Sequence, residues 1–172
     1  VTGNAKTDRR SALRTIVVGG AVGCGALAVP TVRLLIAPAQ AGAGAGRWIK
    51  TVPVDSLGEG EPKRVALVSD RRDAWTLDKN VELGAAWLER RGSTVLAWST
   101  VCPHLGCAVD RSASGPGFNC PCHDSSFDPD GRCLTGPSPR ALDALATRVE
   151  DGFVLVEFRR YRQGIPDKEP IG

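Results

Sequence analysis

Two short stretches hold most of the cysteine and histidine side chains of this chain. Residues 102–107 read C-P-H-L-G-C, and residues 120–128 read C-P-C-H-D-S-S-F-D. Between them they contain four of the six cysteines and both histidines of the 172-residue chain. A disulfide scaffold would spread its cysteines and would have no use for every histidine. Cys102 and His104 lie two apart, and Cys120 and His123 three apart, so each stretch can offer one thiolate and one imidazole to a shared centre. Thiolates suit zinc or iron–sulfur clusters, and imidazole suits zinc, iron or copper. Two of each could close a tetrahedral zinc site. Zinc leaves unexplained why each stretch carries one more cysteine, Cys107 and Cys122, beside a ligand.

Loops of this kind need a rigid frame. From Trp48 onward, short β-prone runs alternate with turns, and no sustained 3.6-residue period appears. Residues 63–69, 85–89 and 95–99 read as strands, the last two joined through Arg90-Arg91-Gly92. A hairpin is expected where A-T-R-V-E meets F-V-L-V-E-F through Asp151-Gly152, because Asp-Gly supplies the positive φ of a two-residue type I′ turn. Residues 70–83 are polar and charged and read as a surface excursion between strands. The expected frame is an all-β head, an antiparallel sandwich or small barrel.

The N-terminal part is different. Residues 1–12 carry Lys6, Arg9 and Arg10, and residues 13–32 are largely apolar, with Arg14 at the edge the one charge. Twenty helical residues reach about 30 Å, the hydrocarbon thickness of a bilayer. A transmembrane anchor is therefore expected over 13–36, with Arg14 and Arg33 snorkelling at its ends. Gly19, Gly20, Gly23 and Gly25 would let a neighbouring helix approach closely in lipid, and Cys24 reads as a small apolar filler. A cleaved signal peptide ending at A-P-A-Q-A is the competing reading. T-D-R-R-S-A-L is similar to a twin-arginine export signal, and ordinary positive-inside charge would serve equally. Both put the N-terminus in the cytoplasm and the head outside it. Residues 37–46, A-P-A-Q-A-G-A-G-A-G, form a Gly/Ala tether. Its typical span as coil is about 17 Å, and its stretched limit about 35 Å. The head is expected over 47–172. A formal net charge of +3, much of it near the N-terminus, gives no case for nucleic acid.

The pattern C-x-H-x-G-C followed by C-x-C-H-x-S resembles the Rieske proteins of quinol-oxidising cytochrome bc and bf complexes. Two histidines replace two cysteines on one iron of their [2Fe–2S] cluster. The resemblance implies one such cluster per chain, in a cluster-binding subdomain of the head. Cys102 and Cys120 would bind the buried iron, and His104 and His123 the outer one. It further implies a Cys107–Cys122 disulfide, a shielding Leu105, and a Ser125 hydroxyl aimed at a bridging sulfide. Gly136-Pro137-Ser138-Pro139 is similar to the family's cover loop. Phe127 stands where high-potential members place a tyrosine, which implies a lower potential suited to menaquinol. Asp124 departs from the glycine that usually follows the second histidine, and a carboxylate there could raise the pKa of His123.

Imidazole ligation raises Rieske potentials to about −150 to +300 mV, against about −400 mV for plant-type clusters. The implied activity is that of the iron–sulfur subunit of a membrane quinol:cytochrome c oxidoreductase. His123 would accept a hydrogen bond from quinol, with a cytochrome b subunit, a c-type cytochrome and membrane lipid as partners. The assembly would be a dimeric multi-subunit complex, single-pass in the inner membrane, with this head on the periplasmic side. Two other Rieske roles compete: the small subunit of a periplasmic molybdenum oxidase such as arsenite oxidase, and a soluble ferredoxin of an oxygenase. Cys133 receives no role.

Overall fold

The computed structural model describes residues 9, 11–18, 46–72 and 75–171. Residues 11–18 are helical, with Leu13, Ile16, Val17 and Val18 exposed. No helix among the described residues is long and apolar enough to cross a membrane. The rest of the expected 13–36 anchor, and all of the 37–46 tether but Gly46, lie outside the described residues.

Among the described residues, the compact unit Gly44–Gly172 is mostly β-structure. Its strands are β1 (Arg47–Pro53), β2 (Lys63–Arg72), β3 (Leu77–Arg91), β4 (Thr94–Ser99), β5 (Asp110–Arg111) and β6 (Phe118–Cys120). They continue as β7 (Ser125–Phe127), β8 (Cys133–Thr135), β9 (Thr147–Glu150), β10 (Phe153–Phe158), β11 (Arg160–Tyr161) and β12 (Pro170–Ile171). All named pairings are antiparallel. One sheet has the order β1-β10-β9 and a second β2-β3-β4, while β5-β6-β7-β8 form a third, inserted between β4 and β9. The turn at 151–152 is as expected: Asp151 and Gly152 have φ of 50° and 76°, and Phe153 pairs with Glu150.

The first two sheets close on an aliphatic core. Ile49, Val154 and Val156 come from one, and Val65, Leu67, Ala86, Leu88, Val95 and Ala97 from the other. Each large aliphatic side chain buried there contributes about 1.5–3 kcal/mol. Because strand side chains alternate between faces, β3 and β4 present a second set on the opposite face. Trp87 and Trp98, paired across the two strands, pack there with Phe118, Phe127, Val109, Leu142, Cys102 and Cys120. Phe118 lies 5.7 Å from the Trp87 ring and 5.8 Å from the Trp98 ring, centroid to centroid. Burial on both faces explains why Ala85–Glu89 is buried at every position.

Residues 70–83 correct one expectation. Residues 70–72 and 77–83 are mostly exposed, yet they extend β2 and β3 as a two-stranded ribbon, with Arg71 opposite Asp78 and Ser69 opposite Val81. Backbone pairing and the Arg71–Asp78 ion pair at 2.8 Å hold the outer end of the ribbon, where the side chains are largely exposed. Apolar alternation is therefore absent, and with it the signal that marks a strand in sequence.

Candidate metal centre

The first loop leaves β4 through Val101, which bridges Ala108. Cys102 N–H donates to the Cys107 carbonyl at 2.8 Å, and Gly106 N–H donates to the Cys102 carbonyl at 3.0 Å. These bonds curl residues 102–107 into a closed turn with Cys102 and Pro103 buried. The second loop is the tip of the β6–β7 hairpin, where Cys120 pairs with Ser125. Asp124 closes that tip with φ of 55°, a left-handed conformation that glycine adopts most cheaply and Asp tolerates. A backbone requirement thus accounts for the position at which this sequence carries Asp and glycine is usual.

The disulfide Cys107–Cys122 ties the two loops together, as the resemblance implied. Cys107, Cys120 and Cys122 place their sulfurs within 4.8 Å of one another, but two of the three are spent in that bond. Four donors remain between the loops. The thiols of Cys102 and Cys120 are buried and neighbour each other. Burial pushes the Cys102 thiol up, the His104 N–H opposes it, and Cys120 adds to the rise. The imidazoles of His104 and His123 meet edge to face, 4.8 Å between centroids, with His104 half-buried and His123 exposed. Two soft sulfurs inside and two imidazoles at the surface fit a cluster whose two irons differ in ligand type and exposure.

Comparison with known proteins places the chain in a family. Residues 47–148 match the Rieske [2Fe-2S] domain family. The chain belongs to the Rieske family. Its cofactor is a Rieske-type [2Fe–2S] cluster. The menaquinol:cytochrome c reductase iron-sulfur subunit of Bacillus subtilis is 31% identical, over 90% of this chain and 93% of that protein. A cytochrome b6-f complex iron-sulfur subunit of Synechocystis sp. is 31% identical, over 86% of this chain and 82% of its own length. Among solved structures, a chain of a hyperthermophilic respiratory Complex III is 24% identical. It covers 83% of this chain and 98% of its own, with a TM-score of 0.43.

Around the Rieske loops, the other expected residues fall into distinct settings. Ser125 is 1% exposed, and its hydroxyl oxygen accepts the Ser138 N–H at 3.2 Å, which leaves its own proton to donate. That bond seats the 136–139 loop against β7. Gly136 has φ of 92°, and a Cβ there would lie 2.5 Å from the Ser125 Cα, so only glycine permits this approach. Pro137 is exposed and Pro139 half-buried on the same loop. Leu105 is 63% exposed and so stands at the open side of the first loop. Phe127 is 2% exposed and packs in the same core as Cys102 and Cys120. The Cys133 sulfur sits 3.7 Å from the Ser138 carbonyl, half-buried, with its thiol pushed up by burial.

Sequence reading missed three supports of the site. The Trp87–Trp98–Phe118 group forms its floor, and Trp87 Nε1–H donates to the Val109 carbonyl at 2.9 Å. Arg91 joins β3 to the loop after β7, through Glu89 and Asp130 at 2.6 Å each. Arg140 and Asp143 form a buried pair beside the 136–139 loop. Aromatic spacing on β3 and β4 could have flagged the first. The ion pairs join residues whose spacing carries no signal.

Proposed function

We propose that this chain is the iron–sulfur subunit of a membrane quinol:cytochrome c oxidoreductase, with Cys102, Cys120, His104 and His123 as its cluster ligands. The carrying observation is the convergence of two buried thiols and two surface-facing imidazoles between disulfide-tied loops. Near full-length similarity to a menaquinol:cytochrome c reductase subunit supports the assembly, and menaquinol as the donor. When bound, the cluster supplies a one-electron acceptor at a potential raised by its imidazole ligands.

The residues divide the remaining work. Cys102 and Cys120 hold the inner side out of water. His123, exposed, offers a ring nitrogen that can accept a hydrogen bond from a quinol hydroxyl and take up its proton. Leu105 shields the site from solvent until a partner covers it. Ser125 and the 136–139 loop fix the second ligand loop from behind. Residues 13–36 anchor the chain in the inner membrane, 37–46 tether the head on the periplasmic side, and a c-type cytochrome is the electron's destination. Exposure of Leu13, Ile16, Val17 and Val18 within the helical residues 11–18 supports the anchor. The chain acts as an oxidoreductase subunit and completes no turnover alone.

Iron and acid-labile sulfide analysis with EPR of the reduced full chain tests the ligand set. Replacing any one of Cys102, His104, Cys120 or His123 by Ala should abolish the [2Fe–2S] signal while the β-sheet circular dichroism persists. A variant that retains the signal removes that residue from the set. Co-purification with b- and c-type cytochromes and quinol-dependent cytochrome c reduction tests the assembly.

A further inference from the structure

Residues 159–171 lie beyond the stretch matched by the Rieske domain family, and nothing in the sequence marks them for a role. In the fold they form a strap. Arg160 and Tyr161 pair with Ile171 and Pro170, and Arg162 N–H donates to the Glu169 carbonyl at 2.9 Å. The middle of this strap rests on the first cluster loop. Gly164 N–H donates to the Pro103 carbonyl at 2.8 Å, and a Cβ on Gly164 would lie 3.6 Å from the His104 carbonyl oxygen.

One side chain pins that segment. Arg140 Nη1 donates to the Ile165 carbonyl at 2.6 Å and Nη2 to the Arg162 carbonyl at 2.9 Å, on either side of Gly164. Its Nε and Nη2 grip Asp143 as a fork, at 3.0 and 2.9 Å, with side-chain exposures of 9% and 6%. Asp143 is itself fixed to β4, where its carbonyl accepts the Ser99 N–H at 2.8 Å. The Arg140 carbonyl accepts the Ser138 hydroxyl at 2.9 Å, and Ser138 N–H holds Ser125. Arg140 therefore reaches one ligand loop through its side chain and the strap, and the other through its main chain.

We propose that Arg140 is a positioning residue for the cluster, which locks the C-terminal strap over Pro103 and so fixes the backbone that carries His104. This rests on the ligand assignment above. A lysine at 140 keeps the charge but cannot form the fork and both strap bonds at once.

The test uses the full-length holo chain and two variants, Arg140→Lys and a chain ended after Arg159. In Arg140→Lys, amide exchange at Gly164 should rise about tenfold or more, the scale of a local opening. Its iron and sulfide content should stay at two each, while the EPR lines of the reduced cluster broaden and its midpoint potential moves. The shortened chain, which keeps the Arg140–Asp143 pair, should show the same spectral change. Unchanged Gly164 exchange in Arg140→Lys overturns the proposal, as does a shortened chain with the parent spectrum. If Arg140→Lys does not fold, the shortened chain's spectrum decides. Loss of the ligand assignment would show instead in the unmodified chain, as the absence of a Rieske EPR signal, whatever Gly164 does.

Discussion

On one face of β3 and β4, Ala86, Leu88, Val95 and Ala97 meet the aliphatic side chains of β1 and β10. On the other, Trp87 and Trp98 meet Phe118, Phe127 and two cysteines. The strands of the first core run up to fifteen residues, while those of the inserted sheet have two or three. Strands so short cannot secure their own register by side-chain packing. The aliphatic core rests on long backbone ladders and burial, whereas the inserted sheet is held by a disulfide, an aromatic floor and tight glycine turns. A site that must present ligands at its surface cannot bury them under a thick core. It borrows rigidity from the strands it shares.

The contrast breaks most directly at Leu88, which is fully buried. Leu88→Ala should lower the unfolding free energy by about 2–5 kcal/mol, as core truncations to alanine do. The EPR spectrum of the remaining folded holo protein should stay that of the parent. A changed spectrum with a small stability loss would mean that the two cores are one. Removing the disulfide by Cys107→Ser with Cys122→Ser should act the other way. The linked residues are 15 apart in sequence, a loop for which cross-linking stabilises by about 3 kcal/mol. Here the loss should appear as cluster release and fast amide exchange in residues 102–127, with β1, β9 and β10 still protected. Global loss without local exchange would refute that localisation.

The same contrast explains what the sequence made legible. The disulfide could be read because it joins rare residue types at fixed spacing in a recognisable pattern, and the proposed ligands rest on the same pattern. The Asp151-Gly152 hairpin could be read because turn chemistry is local. The outer end of the β2–β3 pair, where Arg71 lies opposite Asp78, could not, since it is held by backbone pairing and its side chains are largely exposed. Arg140 and the strap were invisible for a related reason. Arg140 acts on carbonyls at Arg162 and Ile165, and a backbone carbonyl has no residue type to recognise. Asp124 was read for its charge, but its backbone angle is what the structure makes evident.

A finer probe stays inside the aromatic core. Phe127 packs with Cys102 and Cys120, so a hydroxyl added there enters the sulfur environment. Phe127→Tyr should raise the midpoint potential by up to about 59 mV, the equivalent of one hydrogen bond strengthened by about 1.4 kcal/mol on reduction. Redox titration followed by circular dichroism reads this. An unchanged potential would mean that the phenol oxygen points away from sulfur, and that the inference toward a low-potential donor loses its support.

The smallest effect is expected where the two regions are joined by charge. Arg91, on β3, holds Asp130 at 2.6 Å, and its guanidinium keeps that carboxyl below its ordinary value of 3.8. A carboxyl whose pKa is lowered on folding stabilises the fold above its unfolded value, and that contribution fades as pH falls through the folded one. The stability difference between the parent and Asp130→Asn should thus be constant from pH 7 to about pH 5, then shrink toward pH 2. Asp130 is solvent-exposed, so added salt should shrink it as well. Urea midpoints at each pH measure it. If the difference persists undiminished at pH 2, the tie between the regions is the Asp128-centred turn, in which Asp128 accepts the Asp130 and Arg132 N–H groups, and not the ion pair.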